Sequence, residues 1–173
     1  VLGHHPEVQD RVAAEAAALG DRRLEPADVP HLTYTTQVFH EALRLCPPAA
    51  GVGRMAVRDI EVAGHRVEAG TLMAVGIYAL HRDPAIWPDP DRFDPDRFSP
   101  QNVKARDRWH YLPFAGGSRS CIGEHFARLE TTLALATIVR SLRVSSRAPE
   151  FPVDVPFTTV AHGPIPAHVT PRR

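Results

Sequence analysis

One cysteine of this sequence has the surroundings of a metal-binding thiolate. Cys121 stands just before a long predicted helix, where the helix dipole and free N–H groups favour an ionised thiol. Gly116 and Gly117 permit backbone conformations that other residues avoid, so N–H groups can approach the sulfur. Gly123 leaves room for a large flat group at the helix start, and Arg119 can meet an anionic part of the same ligand. The spacing therefore predicts a thiolate ligand in a loop shaped around a planar cofactor.

Other interpretations of this cysteine remain open. A buried cysteine often packs as a small apolar side chain, and that description suits Cys46, at the end of a predicted helix. The sequence shows no secretory signal, and we expect no disulfide between Cys46 and Cys121. His110, Cys121 and His125 lack a recognised zinc spacing, and the glycine pair matches no phosphate-binding consensus. A catalytic cysteine would need a histidine base, and ten histidines make chance pairing easy.

A second feature is a charge on the apolar side of a predicted helix. Glu41 falls in the middle of a stripe formed by Tyr34, Val38 and Leu45. Arg44, three residues on, is its neighbour on the helix surface. A buried carboxylate needs full pairing, and one arginine leaves acceptor sites unused, so we expect a second cation, preferably an arginine. Arg97, in a proline-rich loop that its own backbone bonds cannot hold, is the candidate.

The elements that position these residues follow from apolar spacing and turn signals. Helices are predicted over 6–20, 33–46, 76–80 and 122–142. The apolar face of the last helix is predicted to consist of Phe126, Leu129, Leu133 and Ala136. Short strands are predicted over 60–62 and 65–67, and a closing hairpin over 157–161 and 165–170. Prolines leave little room for regular structure over 81–112.

Composition excludes several classes of protein. The 173 residues carry 20 basic and 20 acidic side chains, so the basic excess of a nucleic-acid binder is missing. No apolar run approaches the roughly 18–20 residues of a membrane span. Two cysteines exclude a disulfide scaffold and a four-cysteine zinc site. Proline contributes 17 residues, about twice its usual share, and 12 of them follow residue 83, which marks the second half as largely irregular.

Three motifs together make the chain resemble the C-terminal part of the cytochrome P450 monooxygenases. They are Glu41-x-x-Arg44, Phe93-x-Pro95-x-Arg97-Phe98 and Phe114-x-x-Gly117-x-Arg119-x-Cys121-x-Gly123. The text from Leu80 to Pro84 and from Arg44 to Pro48 matches as well. The resemblance implies a mainly α fold with small β-sheets (α+β), of which residues 1–173 form the C-terminal, haem-ligating part of one domain.

The resemblance also implies a cofactor, haem b, with Cys121 as the axial thiolate ligand of its iron. The residues that it places against the haem are Arg119, Arg54, Phe114, Gly117 and Gly123. Glu41, Arg44 and Arg97 would form a buried network that holds the loop behind the haem. The residues that it places on the substrate side are Ala49, Val52, Phe157 and Thr158.

The function implied is insertion of one atom of O2 into a small organic substrate, with electrons from a separate ferredoxin or flavoprotein. Related alternatives are a haem-thiolate protein that only binds or senses, and an isomerase. The resemblance implies an N-terminal part that this sequence lacks, including an acid–alcohol pair, so we expect these 173 residues alone to be inactive and to hold haem poorly. Nineteen arginines against Lys104 suggest a bacterial, cytoplasmic parent, and any membrane anchor would lie outside this sequence.

Overall fold

The computed structural model describes residues 1–146, 153–154 and 158–172. Its α-helices are α1 (Pro6–Ala17), α2 (Thr33–Leu45), α3 (Ile77–Leu80), α4 (Pro100–Ala105) and α5 (Glu124–Ser141). Its strands are β1 (Val52–Met55), β2 (Ile60–Val62), β3 (His65–Val67), β4 (Leu72–Val75), β5 (Leu142–Ser145), β6 (Val153–Asp154), β7 (Val160–Ala161) and β8 (His168–Pro171). The predicted helices and the α+β class are confirmed.

Helices α1, α2 and α5 pack against one another and enclose the apolar core. Pro6 opens α1 at a position where its missing N–H costs nothing, and the helix buries Val8, Val12 and Ala16 at a spacing of four. One core cluster joins Val8 and Val12 to Tyr34, Val38 and Val139, and a second joins Ala16 to Leu24, Leu32 and Ala136. Glu41 therefore lies on a helix, α2, that packs against both α1 and α5.

A carboxylate of α1 fixes the start of α2. Leu32 at the helix N-cap has no side-chain oxygen, and Glu15 supplies one from the neighbouring helix. The backbone N–H groups of Tyr34 and Thr35 donate to its two carboxylate oxygens at 2.7 and 2.8 Å, and the Thr35 hydroxyl donates at 2.7 Å. A negative charge at a helix N-terminus is stabilising, so this contact sets α2 firmly against α1.

The described strands form antiparallel pairs, of which the first two follow local sequence signals. β2 pairs with β3 across Ala63 and Gly64, whose φ angles of 51° and 80° match the turn that tight hairpins require. β1 pairs with β4, so Val52 lies opposite Val75 and Arg54 opposite Met73. This second pair carries the segment that follows α2 back toward α3.

The predicted closing hairpin is wrong. β7 pairs with β6, and β8 pairs with β5, the strand that continues directly from α5. Gln9 of α1 fixes β5, because its side-chain amide accepts from the Val144 N–H at 2.9 Å and donates to the Val144 carbonyl at 2.7 Å. A sequence pattern identifies a strand but not a partner that is distant in sequence, and here the partner of β8 is the strand at the end of α5. Phe157 lies outside the described residues.

The predicted apolar face of α5 is also partly wrong. The residues that α5 buries are Thr132, Ala136 and Val139, whereas Phe126 is 66% exposed. The core clusters of α1 and α2 engage Ala136 and Val139, in the second half of α5. The first turns of α5 therefore expose Phe126, beside the cysteine loop, the segment over residues 112–123 that contains Cys121.

Candidate cofactor site

The structure pairs Glu41 and Arg44 in the protein interior. The Arg44 Nε donates to Glu41 Oε2 at 2.7 Å and its Nη2 donates to Oε1 at 2.8 Å. Both side chains are 0% exposed, and the geometry is the parallel two-bond fork that arginine forms with a carboxylate. The Glu41 carboxylate on the apolar side of α2 is therefore buried together with its Arg44 partner, because a buried ion needs a partner of opposite charge.

Arg44 also holds the proline-rich segment that follows α3. Its guanidinium donates to the backbone carbonyls of His81 at 2.8 Å, Pro90 at 2.6 Å and Arg92 at 3.1 Å. The second partner of the pair contributes too, because the Asp94 N–H donates to Glu41 Oε1 at 2.9 Å. Hydrogen bonds to the charged side chains of Arg44 and Glu41 therefore take the place of the regular backbone hydrogen bonds that prolines prevent in this segment.

Arg97 joins the pair, as a weaker third member. Its Nε lies 3.6 Å from Glu41 Oε1, within ion-pair range but beyond a hydrogen bond, and its side chain is 12% exposed. Its Nη2 donates to the Asp89 carbonyl at 2.9 Å. The structure thus brings the three predicted network residues together, with Arg44 as the principal cation.

An aromatic cluster lies between this network and the cysteine loop. Its rings belong to His40, His81, Trp87, Phe98 and Tyr111, with neighbouring centroids 4.7 to 6.4 Å apart. The Arg106 guanidinium lies 4.4 Å from the Trp87 ring centre and 4.7 Å from that of Phe98, close enough for cation–π attraction. Burial lowers the pKa of Arg106 and raises that of Tyr111.

Two histidines in this cluster are held neutral. The Tyr111 hydroxyl donates to the His40 carbonyl at 2.9 Å and also lies 3.1 Å from the His40 Nδ1. Burial, followed by the charge of nearby arginines, lowers the pKa of His40 to about 4 and that of His81 to about 4. The sequence analysis assigned no role to either histidine. The only sequence signal for His81 is that it lies within the stretch from Leu80 to Pro84, which resembles the family.

The cysteine loop is a chain of tight turns. Ala115 and Gly117 have φ angles of 59° and 75°, in the left-handed region that favours glycine. The Ala115 N–H donates to the Leu112 carbonyl at 3.0 Å, and the Cys121 N–H donates to the Phe114 carbonyl at 2.9 Å. The loop therefore returns on itself, and Phe114 is the residue whose backbone holds the cysteine.

The thiol of Cys121 is exposed at the head of α5. A Cβ added at Gly123 would meet only the Cys121 sulfur, at 3.8 Å, so the space beside the thiol is open. Ile122 is 103% exposed and Phe126 is 66% exposed, an unusual state for large apolar side chains that lie so close in sequence. The site thus combines a soft sulfur donor, open space at Gly123 and exposed apolar neighbours. This combination fits a flat, largely apolar group that carries a metal.

Other interpretations of the cysteines fare worse. Cys46 is exposed, so its predicted packing as a small apolar side chain is wrong; it follows the end of α2, beyond the stripe that faces the core. Both cysteines are free thiols. Among the described residues, no group of three or more histidine, cysteine or acidic side chains is placed to hold a metal ion.

The two arginines predicted to meet anionic groups are available for them. Arg119 is exposed at the end of a 3₁₀ turn over Gly117–Arg119, and Arg54 lies in β1 with its Nη1 donating to the Gly53 carbonyl at 2.8 Å. Within the described part of the chain neither forms an ion pair with an acidic side chain.

The two segments predicted on the substrate side lie next to each other. The Thr159 N–H donates to the Pro48 carbonyl at 2.7 Å, and its hydroxyl donates to the Pro47 carbonyl at 2.9 Å. These bonds place the exposed Thr158 beside the segment that contains Ala49. Val52 follows as the first residue of β1 and is half-buried.

Comparison with known proteins identifies the class. The family model described as Cytochrome P450 matches residues 1–169, and the chain belongs to the cytochrome P450 family. It is 46% identical to cyclooctatin synthase of Streptomyces melanosporofaciens over 83% of its length. It is 39% identical to cyclooctat-9-en-7-ol 5-monooxygenase of the same organism over 99% of its length, and 40% identical to human cytochrome P450 4V2 over 84%.

The matched relatives are much longer proteins. The chain spans 32% of cyclooctatin synthase, 38% of cyclooctat-9-en-7-ol 5-monooxygenase and 28% of human cytochrome P450 4V2. In the described residues, no helix has both the length and the apolar character needed to cross a bilayer.

Proposed function

We propose that this chain supplies the haem-ligating part of a haem-thiolate monooxygenase, with Cys121 as the axial ligand of the iron. The observation that carries the proposal is the exposed thiol of Cys121 at the head of α5, beside the open space at Gly123. A haem in this site would cover the exposed side chains of Ile122 and Phe126.

The other predicted residues have assigned roles in the proposal. Arg119 and Arg54 bind the haem propionates, for which arginine offers charge and paired N–H donors. The Phe114 backbone carbonyl anchors the Cys121 amide, and Gly117 supplies the left-handed turn between them. Glu41, Arg44 and Arg97 take no part in bond making; they hold the proline-rich segment from which the cysteine loop departs.

Haem with a thiolate ligand, when bound, supplies the activation of O2 for insertion of one oxygen atom into an organic substrate. The chain's own residues orient that cofactor and present Cys121 to it just before the start of α5. Small organic molecules are the proposed substrates, in keeping with the name of the relative cyclooctat-9-en-7-ol 5-monooxygenase. Residues 49–53, with Ala49 and Val52 among them, contribute to their site together with Phe157 and Thr158, and a ferredoxin or flavoprotein supplies the electrons.

Isotope labelling tests the reaction type in the full-length protein that carries this chain. The protein is incubated with ferredoxin, ferredoxin reductase, NADPH and ¹⁸O2, with cyclooctat-9-en-7-ol and related small alcohols as probes. The proposal predicts a product with one labelled oxygen atom, formed with consumption of NADPH. An unlabelled isomer formed without NADPH would replace the monooxygenase with an isomerase.

A further inference from the structure

His81 is a buried polar residue to which the family motifs assign no role. It follows α3, its side chain is fully buried, and its ring centroid lies 5.0 Å from that of Tyr111 and 6.4 Å from that of Trp87. The groups that face it are three arginines, Arg44, Arg82 and Arg106, together with Tyr111. An imidazolium would therefore meet both desolvation and like charge at this position.

The hydrogen bonds of His81 define its tautomer. The backbone N–H of Leu112 donates to His81 Nε2 at 2.9 Å, so Nε2 carries no proton and the ring proton of neutral histidine is on Nδ1. Burial, followed by the charge of Arg44, holds the pKa of His81 at about 4 and keeps the acceptor available at neutral pH.

The other ring nitrogen shows that packing alone does not explain this histidine. Nδ1 is buried and has no hydrogen-bond partner among the described residues. A buried N–H without a partner costs free energy, and a phenylalanine would fill the same space between Tyr111 and Trp87 without that cost. The feature that distinguishes histidine here is the acceptor that it offers to Leu112.

Leu112 is the residue from which the cysteine loop departs. The Leu112 carbonyl accepts from the Ala115 N–H at 3.0 Å. Two residues further on, the Phe114 carbonyl accepts from the Cys121 N–H at 2.9 Å. On the other side, the His81 carbonyl accepts from Arg44 at 2.8 Å. His81 is thus bonded through its backbone to the buried Glu41–Arg44 pair and through its side chain to the cysteine loop.

We propose that His81 is a positioning residue that fixes the cysteine loop to the buried ion pair through the acceptor nitrogen of its neutral imidazole. The proposal rests on the proposed role of Cys121, which the loop carries. Loss of the acceptor releases the Leu112 amide and lets the turn from Leu112 to Cys121 shift, so the thiolate is presented less uniformly to the iron. Arg44 continues to hold the His81 backbone in either case.

Two substitutions separate the acceptor from the ring. His81→Phe keeps an aromatic ring between Tyr111 and Trp87 but offers no acceptor, whereas His81→Gln offers a side-chain oxygen at a similar reach. His65→Phe, on the exposed β2–β3 hairpin, is the matched control. Amide hydrogen exchange on the chain reports the Leu112 bond without haem. The carbonyl spectrum of the reduced full-length protein reports the fraction of iron with a thiolate ligand.

The expected result is a loss of at least about tenfold in Leu112 amide protection for His81→Phe, with His81→Gln and His65→Phe close to the parent. The thiolate fraction of the carbonyl spectrum should fall in the same order. An unchanged His81→Phe, or equal losses in His81→Phe and His81→Gln, would overturn the proposal. If His81→Phe fails to fold, ¹⁵N spectra of the parent decide: a proton on Nδ1 supports it, and a proton on Nε2 overturns it.

The Cys121→Ser variant distinguishes failure of the proposed function from failure of the proposed role of His81. If Cys121→Ser retains the thiolate band, the proposed function fails whatever His81 does. If Cys121→Ser loses the band while His81→Phe retains both the band and the Leu112 protection, the proposed function stands and the role of His81 fails.

Discussion

The buried ion pair and the cysteine loop are opposite in construction. Glu41 and Arg44 are fully buried, and each has its hydrogen bonds supplied from within the chain. Cys121 and Arg119 are exposed, and the adjacent Ile122 has no cover at all. The first region has its partners within this chain, whereas the second exposes a thiol, a cation and an apolar side chain. The difference separates residues that build the fold from those to which the proposed function assigns the haem.

The largest effect is expected from breaking the buried pair. Arg44→Ala leaves the Glu41 carboxylate buried without its main cation and frees three backbone carbonyls. Removal of one partner of a buried ion pair typically costs about 3–5 kcal/mol, so the chain should lose most of its stability. Urea unfolding of the chain, followed by circular dichroism, measures the change.

Graded variants sharpen this result. Arg44→Lys keeps the charge but not the two-bond fork and should be intermediate. Arg97→Ala removes a contact of 3.6 Å and one hydrogen bond and should cost about 1–2 kcal/mol. Arg66→Ala removes an exposed ion pair with Asp59 and should leave the midpoint unchanged. Equal effects of Arg44→Ala and Arg66→Ala would refute the distinction between the two kinds of pair.

A pH dependence is the next largest effect. The folded chain holds the pKa of His81 at about 4, below the value near 6.5 of an unfolded histidine, so the unfolded state binds more protons between these two values. The contribution of His81 to stability is therefore complete above about pH 6.5 and falls by up to about 1.4 kcal/mol per pH unit until about pH 4. His40 shifts in the same direction, and for that reason the comparison must isolate one histidine.

His81→Gln isolates it, because glutamine does not titrate. Unfolding curves of the two chains from pH 4 to 8 should diverge only below about pH 6.5, with the parent losing stability faster. Parallel curves over the whole range would mean that His81 titrates normally in the folded chain.

The smallest effects on stability are expected from alanine substitution of Gly117 and Gly123, and the two should differ. Gly117 has a φ angle of 75°, so Gly117→Ala should cost about 1–2 kcal/mol through backbone strain alone. Gly123 has an ordinary φ angle of −86° and open space, so Gly123→Ala should stay within about 0.5 kcal/mol of the parent. In the full-length protein the order should reverse for haem content, because the new methyl of Gly123→Ala enters the proposed cofactor space. Full haem content in that variant would remove Gly123 from the site.

The sequence was a good guide where the signal is local. Apolar spacing located α1, α2 and α5, and the burial of Glu41 followed from the stripe around it. The tail was misassigned because β8 pairs with β5, which lies far from it in sequence, and pairing at that sequence separation leaves no local pattern. Phe126 was misassigned for a related reason: an uncovered apolar residue and a buried one look alike in a helical repeat. The proposed role of His81 was missed because it rests on a hydrogen bond to Leu112, 31 residues away.

The central claim is that Cys121 is the metal ligand, and the chain provides its own control. Cys46 is the other free, exposed thiol, and it lies at the end of α2 instead of in the glycine loop. The most direct measurement is the spectrum of the reduced carbonyl complex of the full-length protein with Cys121→Ser or Cys46→Ser. Cys121→Ser should abolish the thiolate-type band and Cys46→Ser should leave it intact. A thiolate band that survives in Cys121→Ser would contradict the account.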